Sequence, residues 1–525
     1  MVLLFVVLLS LPWLVPHCGG LALFAFVPLL CADAVASELK IKHFWMYAFT
    51  AFTAWNAVTT FWVCNATIGG GIAAIVVNAA VMTIIWSLFR LAKRHMDGAL
   101  PYVFLAAAWI AWERFYFSTQ ISWPWLTLGN AFAGTTGLVQ WYEYTGTLGG
   151  SLWVWASNLG VFGLIVATAD GHWSRLRPVA VVAALLGVTA VVAGPMLLSG
   201  SMYRNFEEKS EGEIDFVIGQ PNFDPYQKFQ SLTQAQQTSV LLDLFKKGGD
   251  AGKPSIFLAP ETFTSDIVLG QQESSPTVMA FRNFLLDYPG SEILFGASTY
   301  ELFDTHAAPT ILARPYSRGW SVNHNSAILV DNSEKFEIFH KSKLVVGAES
   351  TPFPKLFVPL DNWLSSLMGV GGLMGRCVGQ SQISLLNFQD DKPLGCAVCY
   401  ESVYGEYCTG YVKAGAKAMT IITNDAWWGD TPGYRQHCSY ARLRAIELRR
   451  DFARCGNTGI SCFINQRGDI LQKTAYWEPA VIRGRLNLRS DETFFVRYGD
   501  VVGRVCTLMF LLLALLLLVK LFIKR

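Results

Sequence analysis

Residues 392–407 read KPLGCAVCYESVYGEY: an apolar run ends on Cys399, and Tyr400 and Glu401 follow at once. A thiol there is core filler, half of a redox pair with Cys396, a metal ligand or a nucleophile, and the residues around it have to choose. Along an extended strand, positions three apart face opposite sides and sit ~10 Å apart, beyond the ~7 Å reach of a disulfide. Metal binding needs further ligands at matching spacing, and the eight histidines of the chain do not supply them. Burial as a small apolar group, the commonest fate of cysteine, stays open beside the nucleophile reading.

Working outward, the same β-rich texture recurs in EIDFVIGQ, PSIFLAPE, EILFGASTY, NSAILVDNSEKFEIFHK and AMTIITND, which read as strands. ARLRAIELRRDFARC reads as an amphipathic helix, with Leu443, Ala445, Ile446 and Phe452 among arginines. VDNSEKF and INQRGDIL carry the residues that hairpin turns need. The pattern is α/β with hairpins. Three strands end on reactive side chains: Glu261 after IFLAP, Lys341 after FEIFH, and Cys399 after LGCAV. Pockets in open α/β sheets form beyond strand ends, so the three groups are expected to converge. A carboxylate takes a thiol proton, a thiolate attacks an acyl carbon, and a lysine holds the resulting oxyanion. Singly, each has a bland reading: a solvated loop carboxylate, surface charge beside Lys343, and a buried thiol.

The rest of the chain is of another kind. Of 525 residues, 52% are hydrophobic and 15% charged, which is too apolar for a soluble protein of this size. Residues 1–200 are long apolar runs, 205–490 have mixed polarity, and 505–519 are apolar again. The organisation is therefore membrane, soluble, membrane, with a middle portion of about 280 residues that is long enough for one sizeable core. Spans of ~20 residues fit near 1–16, 19–37, 43–64, 70–89, 99–118, 151–169, 179–199 and 503–521. The first lacks a basic n-region and a clean cleavage site, so it is expected to be retained. Lys40, Lys42, Arg90, Lys93, Arg94, Arg175, Arg177, Lys520, Lys524 and Arg525 all fall on alternate connections. The positive-inside rule then puts those loops in the cytoplasm and the soluble domain on the opposite face. A net charge of +2 gives no reason to expect nucleic acid. Seven of the eleven cysteines lie in the soluble portion, so no small disulfide scaffold is implied.

SWPWLTLGN and QWYEYTGTLGG, within residues 118–150, are aromatic and uncharged apart from Glu143. They read either as an interfacial aromatic belt or as a lipid-facing floor beneath the soluble domain, with Trp123 and Trp125 as part of a substrate entrance. A polytopic receptor or transporter is disfavoured, because the spans hold few internal charges and Glu113 with Arg114 lies near one end.

APET, HKSKLVVGAES, CYES and TNDAWWGDTPGYRQHCSYARLRAIELRRDFARCGNTGIS resemble the nitrilase (carbon–nitrogen hydrolase) superfamily. With spans on both sides, the chain is similar to its membrane-embedded branch, the apolipoprotein N-acyltransferases of bacterial envelopes. The resemblance implies an αββα sandwich at 213–490, a bundle of about seven helices at 1–203 and one closing helix at 501–522. It implies Glu261 as general base, Lys341 as oxyanion support and Cys399 as nucleophile. Spacing onward through Leu344 and Val345 to Glu349 selects Lys341 over Lys343 and makes Glu349 the second carboxylate. Tyr400 and Glu401 support the cysteine, while Asn424, Trp427 and Trp428 border the pocket. Val346, Gly347 and Ala348 stand where the family commonly has Pro-Phe-Gly, and Phe229 stands where it has a tryptophan, keeping an aromatic wall but losing the indole N–H. The implied reaction is ping-pong transfer from a phospholipid to a diacylglyceryl-lipoprotein at the bilayer. It needs no cofactor or metal, and the protein is expected to be a monomer of the bacterial inner membrane with its catalytic domain in the periplasm. The rival within the superfamily is a membrane-tethered amidase that passes its acyl group to water.

Overall fold

The computed structural model describes the chain except residues 172, 174–177, 227–231, 369–371 and 524–525. Arg175, Arg177, Phe229, Lys524 and Arg525 lie outside the described residues.

Apolar sequence becomes helix at each of the eight expected places: Val2–Leu14, Gly19–Glu38, Phe44–Thr60, Ile68–His95, Leu100–Tyr116, Tyr142–Ala169, Pro178–Asn205 and Val501–Ile523. Five of them are long and apolar enough to cross a membrane. Val2–Leu14 has 13 residues, and Phe44–Thr60 and Leu100–Tyr116 have 17 each. The last helix returns to the bundle and packs beside Leu100–Tyr116. Basic helix ends are held by acids of the bundle: Asp33 takes Lys93 at 2.6 Å and Arg90 at 3.3 Å, and Asp97 takes Lys520 at 3.4 Å.

The soluble portion is built on two sheets. The first contains β1 (Glu213–Gln220), β2 (Ser255–Leu258), β3 (Thr264–Val268), β4 (Glu292–Phe303), β5 (Arg314–Tyr316), β6 (Gly319–Val330) and β7 (Phe336–His340). The second contains β8 (Leu386–Phe388), β9 (Lys392–Val398), β10 (Ala418–Thr423), β11 (Phe452–Gly456), β12 (Cys462–Ile464) and β13 (Ile470–Lys473). β14 (Ala480–Asn487) returns to the first sheet as the antiparallel neighbour of β1. Alternation along the strands sets the layers. Ile214, Phe216 and Ile218 pack into the core shared with the second sheet, whereas Val217 packs with Leu241, Phe245 and Phe281 of the outer helices Gln234–Gly248 and Pro276–Leu285. Helices Gly405–Lys413 and Pro432–Leu448 cover the second sheet, completing an αββα sandwich.

One sequence expectation fails. The helix read through Phe452 stops at Leu448: Arg449 takes a left-handed φ of 48°, and Phe452–Gly456 pairs in parallel with β10. Phe452 therefore belongs to a strand, and the arginines are not a solvated face. Arg444, Arg449, Arg450 and Arg454 are all fully buried, and helical periodicity cannot see that, because it assumes that charge faces water.

Arg444, Arg450 and Arg454 are held inside the sandwich, while Arg449 follows Pro432–Leu448, a wall common to both parts of the molecule. Trp13 donates to Tyr440 Oη at 3.1 Å, and Trp125 donates to Gln436 Oε1 at 2.7 Å. Gln436 donates in turn to the carbonyls of Trp13 and Thr59 at 3.2 and 3.1 Å. Arg449, just past the helix, bonds Glu143 at 2.7 Å and the Gln140 carbonyl at 3.0 Å. Glu447 accepts the Thr147 N–H at 3.0 Å, an N–H freed because Gly146 breaks the Tyr142–Ala169 helix at φ 62°. A Cβ at Gly146 would meet the Phe495 ring at 2.3 Å, so glycine is required there for space as well as conformation. Residues 118–150 therefore face two ways: Ile121 and Tyr144 are exposed, and the centre of the segment is covered by protein. Trp125, Leu126 and Leu128 are buried against protein.

Candidate active site

Glu261, Lys341 and Glu349 meet. Lys341 lies at the end of β7, 1% exposed, with Nζ 3.0 Å from Glu261 Oε1 and 2.9 Å from Glu349. Asn325 on β6 donates to the same two carboxylates at 2.8 and 2.6 Å, so one amide and one ammonium tie both acids into one cluster. The Asn424 N–H holds the second oxygen of Glu261 at 3.1 Å. The loop with Val346, Gly347 and Ala348 still delivers Glu349: Gly347 turns at φ 82°, and Val345 N–H bonds Glu349 Oε2 at 2.7 Å. Lys343 is elsewhere, its ammonium 5.3 Å from the centre of the Tyr404 ring and 5.6 Å from that of Tyr407.

Cys399 stands at the end of β9, partly exposed, with φ 52°, where the charges of Glu261 and Lys341 both act on its thiol. A non-glycine residue in this region stores strain and is a mark of functional sites. Burial pushes its thiol well above the ordinary range and Glu261 pushes it further, against the pull of Lys341, so the resting sulfur keeps its proton. Burial alone would lower the Lys341 pKa, but Glu261, Glu349 and Cys399 around it outweigh that and hold it well above its usual value. The arrangement is an uncharged thiol in the field of a carboxylate and a fixed cation, groups whose chemistry suits proton transfer and nucleophilic attack.

Glu401 is a strut. One oxygen accepts the backbone N–H groups of Ser342 and Lys343 at 2.7 and 3.1 Å, and the other accepts Val398 N–H at 2.9 Å. It fastens the loop after Lys341 to the strand before Cys399. Tyr400 points to the membrane part, its hydroxyl 3.1 Å from the Ser122 carbonyl and its ring 6.3 Å from Trp123. Beneath it, Trp62, Trp123, Trp125 and Trp428 form one aromatic group, with Trp62 and Trp428 4.5 Å apart. Trp427 stands apart, exposed against Tyr226.

Four residues here escaped the sequence reading. Asn325 sits in a strand read only for its apolar side. Trp62 reads as span. Asp425 and His437 lie inside TNDAWWGDTPGYRQHC without a signal of their own. Their ligand-type atoms and that of Cys399 lie within 4.8 Å of one another, yet Asp425 is already bonded to Arg454, Thr423 and His437, so the group is a hydrogen-bonded chain rather than a metal cage. Burial pushes the Asp425 carboxyl up, but His437 and Arg454 outweigh it and hold it at about 2. A cavity of about 470 Å³ opens on the other side of the Pro432–Leu448 helix, between Trp13–His17 and Tyr476, and none of Glu261, Lys341 and Cys399 lines it.

Comparison with known proteins agrees with both parts. Residues 6–160 match the apolipoprotein N-acyltransferase N-terminal domain, and residues 304–491 match the carbon-nitrogen hydrolase family. The apolipoprotein N-acyltransferase of Chlorobaculum tepidum is 26% identical over 94% of this chain and 91% of its own length. That of Geobacter metallireducens is 25% identical over 95% of this chain and 91% of its own. Among solved structures, Saccharomyces cerevisiae Nit3, a member of branch 10 of the nitrilase superfamily, covers 56% of this chain and 97% of its own at 14% identity, with a TM-score of 0.37.

Proposed function

From the matches of residues 6–160 to the apolipoprotein N-acyltransferase N-terminal domain and of residues 304–491 to the carbon-nitrogen hydrolase family, we propose that the chain acylates the N-terminus of lipoproteins through a thioester on Cys399. Glu261 takes the thiol proton, and sulfur attacks the ester carbonyl of a membrane phospholipid while Lys341 bears the oxyanion. The C–O bond breaks, the proton passes from Glu261 to the leaving alkoxide, and a lysophospholipid departs. The α-amino group of a diacylglyceryl-cysteine then attacks the thioester. Glu261 takes a proton from the amine, and the departing thiolate is reprotonated. Glu349 holds Lys341, and Tyr400 and Glu401 hold the strand end. Asn424, Trp428, Trp123 and Trp125 border the pocket, with Trp427 at its margin. The reaction as written uses no cofactor.

The single observation that carries this reading is Lys341, fully buried between two carboxylates beside a strained cysteine and above an aromatic floor shared with the membrane helices. Both proposed substrates keep their acyl chains in the bilayer, so a site at that floor meets them without extracting them. Residues 1–203, 213–490 and 501–522 are taken as bundle, catalytic domain and closing helix of a single working chain. The basic ends of alternate helices support placing it in the bacterial inner membrane with the catalytic domain in the periplasm. The test is intact-protein mass spectrometry after incubation with phospholipid alone, beside a Cys399→Ala variant. A hydroxylamine-labile acyl adduct on the native chain, absent from the variant, is expected. Release of free fatty acid without any adduct, in the absence of acceptor, would overturn acyl transfer in favour of hydrolysis.

A further inference from the structure

The carbonyl of Cys399 is gripped from two directions. His437 Nε2 lies 3.1 Å from that oxygen, and the Ser402 hydroxyl donates to it at 2.7 Å, itself 3.0 Å from His437 Nε2. The oxygen only accepts, so His437 donates from Nε2. Behind the ring, Nδ1 is 2.9 Å from Asp425 Oδ1, which also accepts from Thr423 Oγ1 at 2.7 Å, and Asp425 Oδ2 is 2.5 Å from Arg454. His437, Asp425 and Arg454 are all fully buried. From this chain we infer that His437 is a positioning residue for the reaction: with Asp425 and Arg454 fixing its ring, it holds the Cys399 peptide in the orientation that the thiol chemistry needs.

The physical reason is the left-handed backbone at Cys399, φ 52°, which a residue with a side chain relaxes from unless its surroundings overdetermine it. In a trans peptide, C=O and the following N–H point opposite ways. A grip on the Cys399 carbonyl therefore also fixes the direction of the Tyr400 N–H. Among the described residues no hydrogen bond joins His437 to the thiol, and the proposed reaction gives the sulfur's proton to Glu261. This separates its role from that of Glu261, and it rests on Cys399 being the acylated residue.

The experiment is pre-steady-state acyl-enzyme formation from phospholipid by the full chain in detergent micelles, with kcat, KM and pH profiles. His437→Leu and His437→Asn, neither of which reaches the carbonyl, are expected to slow acylation by about 10–100-fold with KM for phospholipid within about twofold and the shape of the pH profile unchanged. His437→Gln, whose amide nitrogen sits near the position of Nε2, is expected to restore the rate to within about fivefold of native. Ser402→Ala removes the other grip while leaving His437, Asp425 and Arg454 in place, and is expected to slow acylation by about 3–10-fold, so the idea stays testable if the His437 variants do not fold. Native-rate acylation in both His437→Leu and Ser402→Ala would overturn the inference. So would loss of the acid limb of the pH profile, which would make His437 a base, or a His437→Gln variant that folds yet is as slow as His437→Leu. Failure of the underlying reading looks different: the native chain itself would then carry no adduct on Cys399.

Discussion

Lys341→Met removes the cation from between two buried acids, and its cost can be worked from the contacts. At an effective dielectric near 20, a pair 3.0 Å apart interacts by about 5 kcal/mol. Desolvation offsets much of this, and removing one partner of a buried pair leaves a net loss of about 3–5 kcal/mol. Asn325 stays bonded to both Glu261 and Glu349, so two carboxylates then share one amide with no cation, and one of them takes up a proton. Losing a fixed donor to an oxyanion lowers the rate by about 10²–10³-fold, and a protonated Glu261 adds the loss of a base. Single-turnover acylation, read by intact mass, is expected to fall by at least about 10³-fold. The second arm is Lys341→Met with Glu349→Gln, which removes one of the two negative charges that Lys341 balances. It is expected to recover most of the thermal stability in detergent and none of the acylation. If the double variant regains acylation to within about tenfold of native, Lys341 only neutralises Glu349 and its role at the oxyanion is refuted.

Glu261→Gln is expected to separate two properties of Cys399. Burial and then Glu261 raise the thiol pKa, so removing that charge moves the pH profile of iodoacetamide alkylation downward, while acylation falls by about 10²–10⁴-fold for want of a base; slower alkylation at pH 8 would contradict this. Trp125→Ala opens a void at a 1% exposed side chain and strands Gln436, so a loss of about 3–5 kcal/mol in denaturant titration is expected, whereas Trp123→Ala is expected to raise KM for phospholipid with little change in midpoint. His340, stacked on His324 at 4.2 Å, is lowered by burial and then by His324 to about 4 from 6.5. Because the unfolded chain binds the extra proton first, this contribution is complete above pH 6.5 and lost as pH falls toward 4. The His340→Gln variant is expected to show a flatter fall in Tm between those pH values than the native chain; an equal slope would sink the assignment.

Much of this architecture is written locally. Alternation in EIDFVIGQ gives β1 its residue limits, and the two hairpin turns stand where Asp331, Ser333 and Gly468 put them. Of the three strand ends expected to converge, Lys341 and Glu261 meet at 3.0 Å. What could not be read depends on partners distant in sequence. The arginines after Leu443 look solvated until Glu143 and Gln140 receive Arg449 and distant carbonyls and acids of the sandwich receive Arg444, Arg450 and Arg454. Trp62 looks like lipid-facing span until Trp428, some 360 positions later, lies on it. His437 has no local signal at all, because its meaning is set by a carbonyl on another element.

The common wall formed by Pro432–Leu448 bears on how the molecule is made. Ribosomal order delivers the first seven helices before any strand, so the surface that receives Tyr440, Gln436 and Arg449 exists when that helix emerges. Translated alone, the central region would leave the ribosome with those side chains uncovered and Arg449 without Glu143. The last helix, which packs beside Leu100–Tyr116, can take its place only after everything before it is built. Assembly is thus sequential by construction, with the bundle acting as the template on which the αββα sandwich sets.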